Sequence, residues 1–322
     1  MLKLREWIDI NKVCWNSLCL NKNAIELLKQ NLSKIDWGYL STNPNAIELL
    51  KENQNKIDWY DACMNPNPEI MLLLKKNIDK IGRIGWIHAS NNLNSTELFK
   101  KHPDKIKWSS MSEKSNDIEL LKENFSKIKW DFLSLNPNAI ELLKQNKEKI
   151  CWISLSKNPN AIELLEENQD KIGWDFLSGN KNAIGILKKN LDKINWKILS
   201  GNPNAIEILK ENQNKIDWYF LSSNPNAIEL LKQNQDKIDW DFLSANPNAI
   251  EILKENQDKI VWETFSENPN IFTYDYAKMK EKMKNSGIVE ELMAYIFHPR
   301  NMDKWKSWGF MEHDDMVVFI DK

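Results

Sequence analysis

Hydrophobic positions recur along this chain at a fixed interval. Successive tryptophans stand 22 residues apart, except for an interval of 27 residues between Trp59 and Trp86. The recurring tryptophans are Trp15, Trp37, Trp59, Trp86, Trp108, Trp130, Trp152, Trp174, Trp196, Trp218, Trp240 and Trp262. Such a period is typical of a solenoid or repeat array, in which each unit packs only on its neighbours, and not of one globular core.

Each unit, counted from its tryptophan as column zero, contains two apolar segments at helical spacing. In the unit that begins at Trp130, the tryptophan is followed by Leu133, and the range 139–143 carries a second apolar stripe. Residues three or four positions apart share a helix face, so we predict a short Trp helix and, in columns nine to fifteen, a Leu helix. The apolar positions do not alternate, which disfavours a β-solenoid.

Polar columns predict where these helices begin and end. Column eight is Asn and is usually followed three residues later by Glu, as in Asn138 and Glu141, which predicts an N-cap with a capping box. Column sixteen is usually Asn, which predicts a left-handed residue at the end of the Leu helix. Asp often precedes the tryptophan, as at Asp36 and Asp239, and is expected to cap the Trp helix. The small Ser or Cys of column four is expected to allow close helix approach.

The periodicity divides the chain into three segments. Residues 1–14 are predicted to be an N-terminal half-repeat cap, residues 15–270 tandem repeats with a five-residue insertion within 59–86, and residues 271–322 a C-terminal helical cap and tail. The predicted fold is all-α, an α-solenoid (superhelix) of about eleven 22-residue helix-turn-helix repeats with N- and C-terminal caps. Stacked end to end at about 9–10 Å per unit, it would be on the order of 100 Å long. Because such short helices are marginal alone, we expect the Trp column to be buried between units.

Composition restricts the function further. Lys and Arg total 44 and Asp and Glu total 46, so the chain shows no basic excess of the kind that nucleic-acid binders carry. No apolar run reaches the length of a membrane span, and the N-terminus has no apolar stretch typical of a secretory signal. The four cysteines, Cys14, Cys19, Cys63 and Cys151, show no CxxC spacing. We therefore expect reduced thiols in an intracellular protein without a membrane partner.

Catalytic and cofactor motifs are absent from the sequence. It contains no GxxxxGK[ST], GxGxxG or GxSxG motif, and its histidines, His88, His102, His298 and His313, are scattered. We therefore predict no enzyme, no cofactor and no metal site. The alternative is chemistry confined to 271–322 around His298, and weak chelation by His313-Asp314-Asp315 is a further, less favoured reading.

Two features suggest where a partner could bind. Lys recurs at column nineteen of each unit, and its stem could pack on a tryptophan or its ammonium could track phosphates. The insertion and the two units after it are irregular, and insertions in solenoids often map onto binding loops. The candidate partner-contact residues are Arg83, Ile87, His88, His102, Lys149, Lys171, Lys193 and Lys215.

A regular frame with variable positions favours a scaffold for protein–protein interaction. Column one, for example, holds Gly38, Asp131 and Lys197, and helical repeats build extended binding faces from such columns. The protein partner is unknown, and a homo-oligomer is also compatible with the sequence. The alternatives are nucleic-acid binding along the Lys ladder, which the charge balance disfavours, and a structural or self-assembly role.

The repeat phrase also resembles that of a known group of proteins. Leu-Ser-x-Asn-Pro-Asn-Ala-Ile-Glu-Leu-Leu-Lys-x-Asn-x-x-Lys-Ile-x-Trp is similar to the tandem repeats of proteins encoded by giant nucleocytoplasmic DNA viruses. The ending, with Phe297-His298-Pro299-Arg300, Trp305 and Gly309-Phe310, resembles the closing segment of those proteins. The resemblance covers nearly the whole chain, although units 86–129 depart from it. It implies a viral origin, a place in the host cytoplasm or the virion, a viral or host partner, and no catalytic residues.

Overall fold

The protein is described by a computed structural model that covers residues 1–296 and residue 298. Residues 4–272 form one compact unit, and residues 1–3 form a second unit with the segment that begins at Thr273. The first unit contains all of the repeats. The two-stranded sheet of β1 (Leu2–Leu4) and β2 (Phe272–Tyr274) lies where the chain passes from one unit to the other.

Each repeat contains a Trp helix, a Leu helix and a 3-10 turn. The Trp helices are Trp15–Leu20, Trp37–Thr42, Trp59–Ala62, Arg83–Ala89, Trp108–Lys114, Trp130–Leu133, Trp152–Leu155, Trp174–Ser178, Trp196–Ser200, Trp218–Ser222, Trp240–Ala245 and Trp262–Glu267. The Leu helices are Ile25–Lys29, Ile47–Glu52, Ile70–Lys76, Thr96–Lys101, Ile118–Glu123, Ile140–Lys144, Ile162–Glu167, Ile184–Lys188, Ile206–Glu211, Ile228–Gln233 and Ile250–Glu255. The 3-10 turns that follow the Leu helices are Leu32–Lys34, Gln54–Lys56, Ile78–Lys80, Pro103–Lys105, Phe125–Lys127, Lys147–Lys149, Gln169–Lys171, Leu191–Lys193, Gln213–Lys215, Gln235–Lys237 and Gln257–Lys259. Three further 3-10 turns lie at Pro44–Ala46, Leu93–Ser95 and Pro269–Ile271. The predicted all-α solenoid is confirmed.

The core consists of aliphatic columns rather than of the tryptophans. Column three of the Trp helix, for example Leu199, and column thirteen of the Leu helix, for example Leu209, are fully buried. The tryptophans are half-buried, with the exception of Trp86. The expectation of a buried Trp column is therefore wrong: side chains such as Leu199 and Ala205 are fully buried, whereas every repeat tryptophan except Trp86 keeps part of its surface accessible.

Buried hydrogen bonds join successive units at two columns. The Ser hydroxyl of column four accepts from the backbone N–H just before the next tryptophan, as Ser200 accepts from Asp217 at 3.0 Å. The Asn of column six donates its Nδ2 to two carbonyls of the preceding unit, as Asn202 does to Ser178 and Asn180. The Asn ladder formed in this way comprises Asn21, Asn43, Asn65, Asn92, Asn136, Asn158, Asn180, Asn202, Asn224, Asn246 and Asn268.

The repeat array closes on itself. Asn21 Nδ2 donates to the carbonyls of Ser266 and Asn268, and Cys14 N donates to Ser266 Oγ at 2.8 Å. These are the same bonds that join neighbouring units elsewhere, although the residues are about 250 positions apart in the chain. The expected open rod of about 100 Å is therefore wrong, because the first unit packs on the last one and forms a ring.

The N-terminal half unit supplies what the last unit lacks. The unit that begins at Trp262 ends at Ile271 without a Leu helix of its own. Lys12 Nζ lies 5.5 Å from the centre of the Trp262 ring, as the column-nineteen Lys does elsewhere, and Val13 is buried in the place of the column-twenty Ile. Arg5 N also donates to the Ile271 carbonyl. The last unit is thus a composite of both ends of the repeat region.

Three of the predicted cap positions differ from the structure. Asn at column eight does not cap the Leu helix: Asn204 Nδ2 donates to the Lys181 carbonyl of the preceding unit, and its own N–H is bound by Asn202 Oδ1. Glu at column eleven faces solvent and pairs with Lys three residues later, as Glu207 does with Lys210. No non-glycine residue among residues 1–296 has a positive φ. Instead, the column-sixteen Asn, for example Asn212, donates to the carbonyl four residues earlier.

The remaining cap and insertion predictions agree with the structure. Asp36 and Asp239 accept backbone N–H groups of the Trp helices that follow them. The five extra residues fall in two places: Pro68 and Glu69 precede a Leu helix, and Arg83 begins a Trp helix three residues before its tryptophan. The insertion thus lengthens one unit without interrupting the array.

The second compact unit contains two helices in its described part. They are Tyr276–Asn285 and Ile288–Ile296, and both lie in the segment that was predicted to be a C-terminal helical cap. No helix among the described residues has the length and apolarity needed to cross a bilayer. The expected Trp305–Phe310 segment and the 313–322 tail, including His313-Asp314-Asp315, lie outside the described residues.

Candidate interaction surface

The column-nineteen lysines lie over tryptophan rings. In eleven cases the ammonium Nζ is 4.3–5.5 Å from the centre of an indole ring. Among the candidate contact residues, these distances are 4.9 Å for Lys149, 4.6 Å for Lys171, 4.7 Å for Lys193 and 4.5 Å for Lys215. The Lys stems therefore cover the exposed side of the Trp column, and the positive charges interact with ring faces. Contact between these lysines and a partner stays a prediction.

The unit that begins at Trp86 departs from this arrangement. Trp86 is only 9% exposed and packs against the rings of Phe99 and His102, at centroid distances of 5.8 and 5.3 Å. Lys105, which would cover it in a regular unit, forms an ion pair with Asp104 instead. The candidate residue His102 is thus part of the packing around Trp86.

A cleft of about 570 Å³ lies beside the insertion. Two candidate contact residues, Arg83 and Ile87, line it, together with Trp86 and Lys107. His88 lies elsewhere, with its ring 4.5 Å from that of Tyr60. The structure therefore brings Arg83 and Ile87 to one cleft, which neither of the two histidines lines.

The Trp helices form the inner layer of the ring. Most successive Trp helices pack extensively on each other, including the first and the last, whereas successive Leu helices contact each other less extensively. In a closed ring, the layer in which neighbours are closest is the layer nearest to the axis. Columns three and four of the Trp helices are buried, whereas columns one and two are exposed or half-buried, except at Ser17 and Ser110. We call columns one and two the inner face.

Aromatic and aliphatic side chains are exposed along much of the inner face. The large apolar side chains that are exposed there are Tyr39, Tyr60, Phe132, Ile153, Phe176 and Tyr219, with exposures of 41–56%. Column one of one unit contacts column two of the next: the rings of Tyr219 and Phe242 are 4.1 Å apart, and Lys197 Nζ is 5.3 Å from the centre of the Phe220 ring. These contacts make the inner face a continuous surface across several units.

The charges on the inner face are mostly negative. Its charged residues are Asp61, Asp131, Asp175, Asp241, Glu263 and Lys197. Asp175 accepts a hydrogen bond from Asn195 at the end of its own unit, and Asp241 accepts one from Thr264 of the following unit. Burial and the nearby carboxylate of Asp58 raise the pKa of Asp61. The inner face is therefore apolar and acidic, although the whole chain is almost neutral.

Reactive and metal-binding groups do not converge in the described part of the chain. All four cysteines are free, and burial raises the pKa of the Cys19 thiol to about 11 and that of Cys63 to about 12. No group of three His, Cys, Asp or Glu side chains that could hold a metal occurs among the described residues. His298 is exposed.

The exposure of the column-two aromatic residues was not predicted from the sequence. In a phrase such as Trp130-Asp-Phe-Leu133, Phe132 looks like part of the buried stripe because it adjoins Leu133. A usable signal was variation: column two also holds Asp61, His88 and Ser154, whereas column three is always apolar. A column that accepts both Phe and Asp is expected to be exposed.

No protein-family model matches the chain, and no curated protein or solved structure shows significant similarity to it.

Proposed function

We propose that the repeat ring is a non-enzymatic scaffold that binds another protein on its inner face. The observation that carries this proposal is the exposure of Tyr39, Phe132, Phe176 and Tyr219 at the same two columns of the Trp helices. Large exposed apolar patches on folded proteins often mark interaction sites, and aromatic side chains are enriched in them. Because the buried columns hold the ring together, the inner face can vary from unit to unit without loss of the fold.

The charge distribution supports a protein partner over nucleic acid. Carboxylates on the inner face would repel phosphates, and the Lys ladder is engaged with tryptophan rings. We expect no salt-dependent binding of oligonucleotides in a fluorescence-anisotropy titration. If the wild type did bind them, and replacing Lys149, Lys171, Lys193 and Lys215 together by Gln flattened the salt dependence by about 3–4 units, the nucleic-acid alternative would hold.

The test of the proposal compares two triple variants in affinity capture from the cells in which the chain is expressed. We take these to be infected cells, in line with the viral origin that the repeat phrase implies. The inner-face variant is Phe132→Ser, Phe176→Ser, Tyr219→Ser. The control variant removes three apolar side chains that are exposed on other surfaces: Leu32→Ser, Leu72→Ser, Leu191→Ser.

We expect one or more proteins to be captured by the wild type and the control, to be lost with the inner-face variant, and to bind the purified ring directly. Both variants should show wild-type circular dichroism, because all six side chains are exposed. Capture that is equal for both variants would contradict the proposal.

A further inference from the structure

We propose that the segment of the partner that docks on the inner face is cationic, with Lys or Arg residues between apolar anchors. This inference rests on the proposed function and specifies its ligand. It combines two properties of the same surface: exposed aromatic rings and carboxylates that lack basic partners. The rings would contact apolar side chains of the partner, and the carboxylates would bind its ammonium or guanidinium groups.

The carboxylates of the ring fall into two groups. On the Leu helices, Glu side chains pair with Lys three residues later, for example Glu141 with Lys144 and Glu229 with Lys232. Within the described residues, no Lys or Arg forms an ion pair with the inner-face acids Asp131, Asp175, Asp241 and Glu263. The outer acids are thus neutralised within the chain, and the inner acids are not.

The ring already contains the type of contact that we propose. Lys197 is the one Lys of columns one and two, and its ammonium lies 5.3 Å from the centre of the Phe220 ring of the next unit. Phe132 and Phe176 also present exposed rings, and each directly follows an inner-face carboxylate in the chain, Asp131 or Asp175. A Lys or Arg from a partner could lie over such a ring while its charge faces the adjacent acid.

The experiment uses the full chain and three synthetic peptides of equal length as probes. The first alternates Lys and Phe, the second alternates Glu and Phe, and the third alternates Lys and Ser. Fluorescence anisotropy of labelled peptides gives their dissociation constants. We expect the Lys–Phe peptide to bind about tenfold or more tightly than either of the others, because only it satisfies both the rings and the carboxylates.

A pair of charge-matched variants locates the binding site. Asp131→Asn, Asp175→Asn, Asp241→Asn removes three inner-face charges and keeps the hydrogen-bond acceptors, and we expect it to weaken Lys–Phe binding about tenfold. Glu141→Gln, Glu207→Gln, Glu229→Gln changes the net charge equally on the Leu helices and should weaken binding less than twofold.

Three results would overturn the inference: no Lys–Phe binding at about 1 mM, equal or tighter binding of the Glu–Phe peptide, or equal weakening by both charge variants. Suppose that the Glu–Phe peptide binds and that its binding is lost when Phe132, Phe176 and Tyr219 are replaced by Ser. The cationic ligand would then be wrong, but the inner face would still be a binding surface. The proposed function is tested separately, by the capture experiment: equal capture by the two triple variants would count against it whatever the peptides do.

Discussion

The regular arc of the ring, residues 130–271, and the irregular arc, residues 59–129, share most of their junction contacts and differ in the insertion, in the surroundings of Trp86 and in one position of the Asn ladder. Across the insertion, Asn92 Nδ2 still donates to the carbonyls of Cys63 and Asn65, and Ser90 Oγ still accepts from Lys107 N. The Lys–Trp contact, by contrast, is lost at Trp86. The buried Ser and Asn contacts therefore define the junction, and the Lys and Trp columns cover its surface.

The insertion is tolerated because of where its residues fall. Pro68 and Glu69 lie between the Asn contacts and the Leu helix, and residues 83–85 add one turn before Trp86. Neither addition separates the carbonyls and amides that bond to the next unit. Extra residues at these two places change the outline of a unit and keep its contacts with its neighbours.

One position in the irregular arc does break the Asn ladder. Ser115, which is column seven by count from Trp108, takes the structural place of the column-six Asn: its hydroxyl accepts from Asp117 N, and its carbonyl accepts from Asn136. The Ser side chain is too short to reach back to the preceding unit. A cavity of about 10 Å³, lined by Ser90, Asn92 and Ser115 among others, lies there. It is about large enough for one water molecule.

Substitution of a tryptophan is expected to give the largest difference in unfolding free energy between the two arcs. Trp86→Ala should lower the free energy of unfolding by about 3–5 kcal/mol, because it empties a buried site between Phe99 and His102. Trp196→Ala should cost only about 2 kcal/mol, because Trp196 is half-buried. Urea denaturation followed by circular dichroism measures both. Equal losses would show that the two indoles are equally buried and would contradict the described packing.

In the regular arc, the Asn ladder is expected to be the next most sensitive feature. Asn202→Ala should cost about 2–3 kcal/mol, because it leaves the carbonyls of Ser178 and Asn180 without their buried amide donor. Asn204→Ala is the matched control, since Asn204 is exposed and donates to one carbonyl. We expect the control to cost less than about 1 kcal/mol in the same urea titration. If Asn204→Ala lowered the free energy of unfolding more than Asn202→Ala, the Asn of column eight, and not that of column six, would hold neighbouring units together.

The closing junction can be tested with the same substitution. Asn21→Ala should cost about as much as Asn202→Ala, again about 2–3 kcal/mol, because Asn21 binds the carbonyls of Ser266 and Asn268 at 3.0 and 2.9 Å. In an open array, Asn21 Nδ2 would face solvent at the first unit and its removal would cost close to nothing. A negligible effect on the urea midpoint would therefore contradict the ring.

Much of the fold followed from periodicity, whereas the ring did not. The 22-residue interval predicts the units, and the apolar stripes predict a Trp helix and a Leu helix in each. Closure depends on the small rotation between neighbouring units, which no single unit encodes in its apolar pattern. A hint was present in Lys12-Val13-Cys14, which repeats the end of a unit whose beginning lies at Trp262.

The candidate site was predicted only in part, for a related reason. Column one was expected at the surface because it varies, and Asp131 and Lys197 are indeed exposed. The aromatic residues of column two were missed because a Phe next to a buried Leu has the same apolar signal as a core residue. The buried role of Asn202 was also missed, since an Asn before Pro normally indicates a solvent-exposed turn.

Restoring the ladder in the irregular arc is expected to stabilise the ring. Ser115→Asn should raise the free energy of unfolding by about 1 kcal/mol, because the new amide would fill the cavity and donate to the carbonyls of Ser90 and Asn92. Ser223→Asn, at a half-buried column-five position of the regular arc, is the control and should have little effect. If Ser115→Asn lowered the urea midpoint, the Ser115 backbone would not occupy the column-six position.

The smallest expected difference in unfolding free energy is between lysine substitutions in the two arcs. Lys215→Gln should cost about 0.5–1 kcal/mol, because Lys215 Nζ lies 4.5 Å from the centre of the Trp196 ring and Gln offers no positive charge to it. Lys105→Gln in the irregular arc should cost less than about 0.5 kcal/mol, since it removes only an exposed ion pair with Asp104. Lys215→Arg should retain most of the stability, because a guanidinium also binds an indole face. The three variants can be compared by urea denaturation in low and high salt. A loss at Lys105 that equals or exceeds the loss at Lys215 would mean that the Lys–Trp contact contributes nothing to the regular arc.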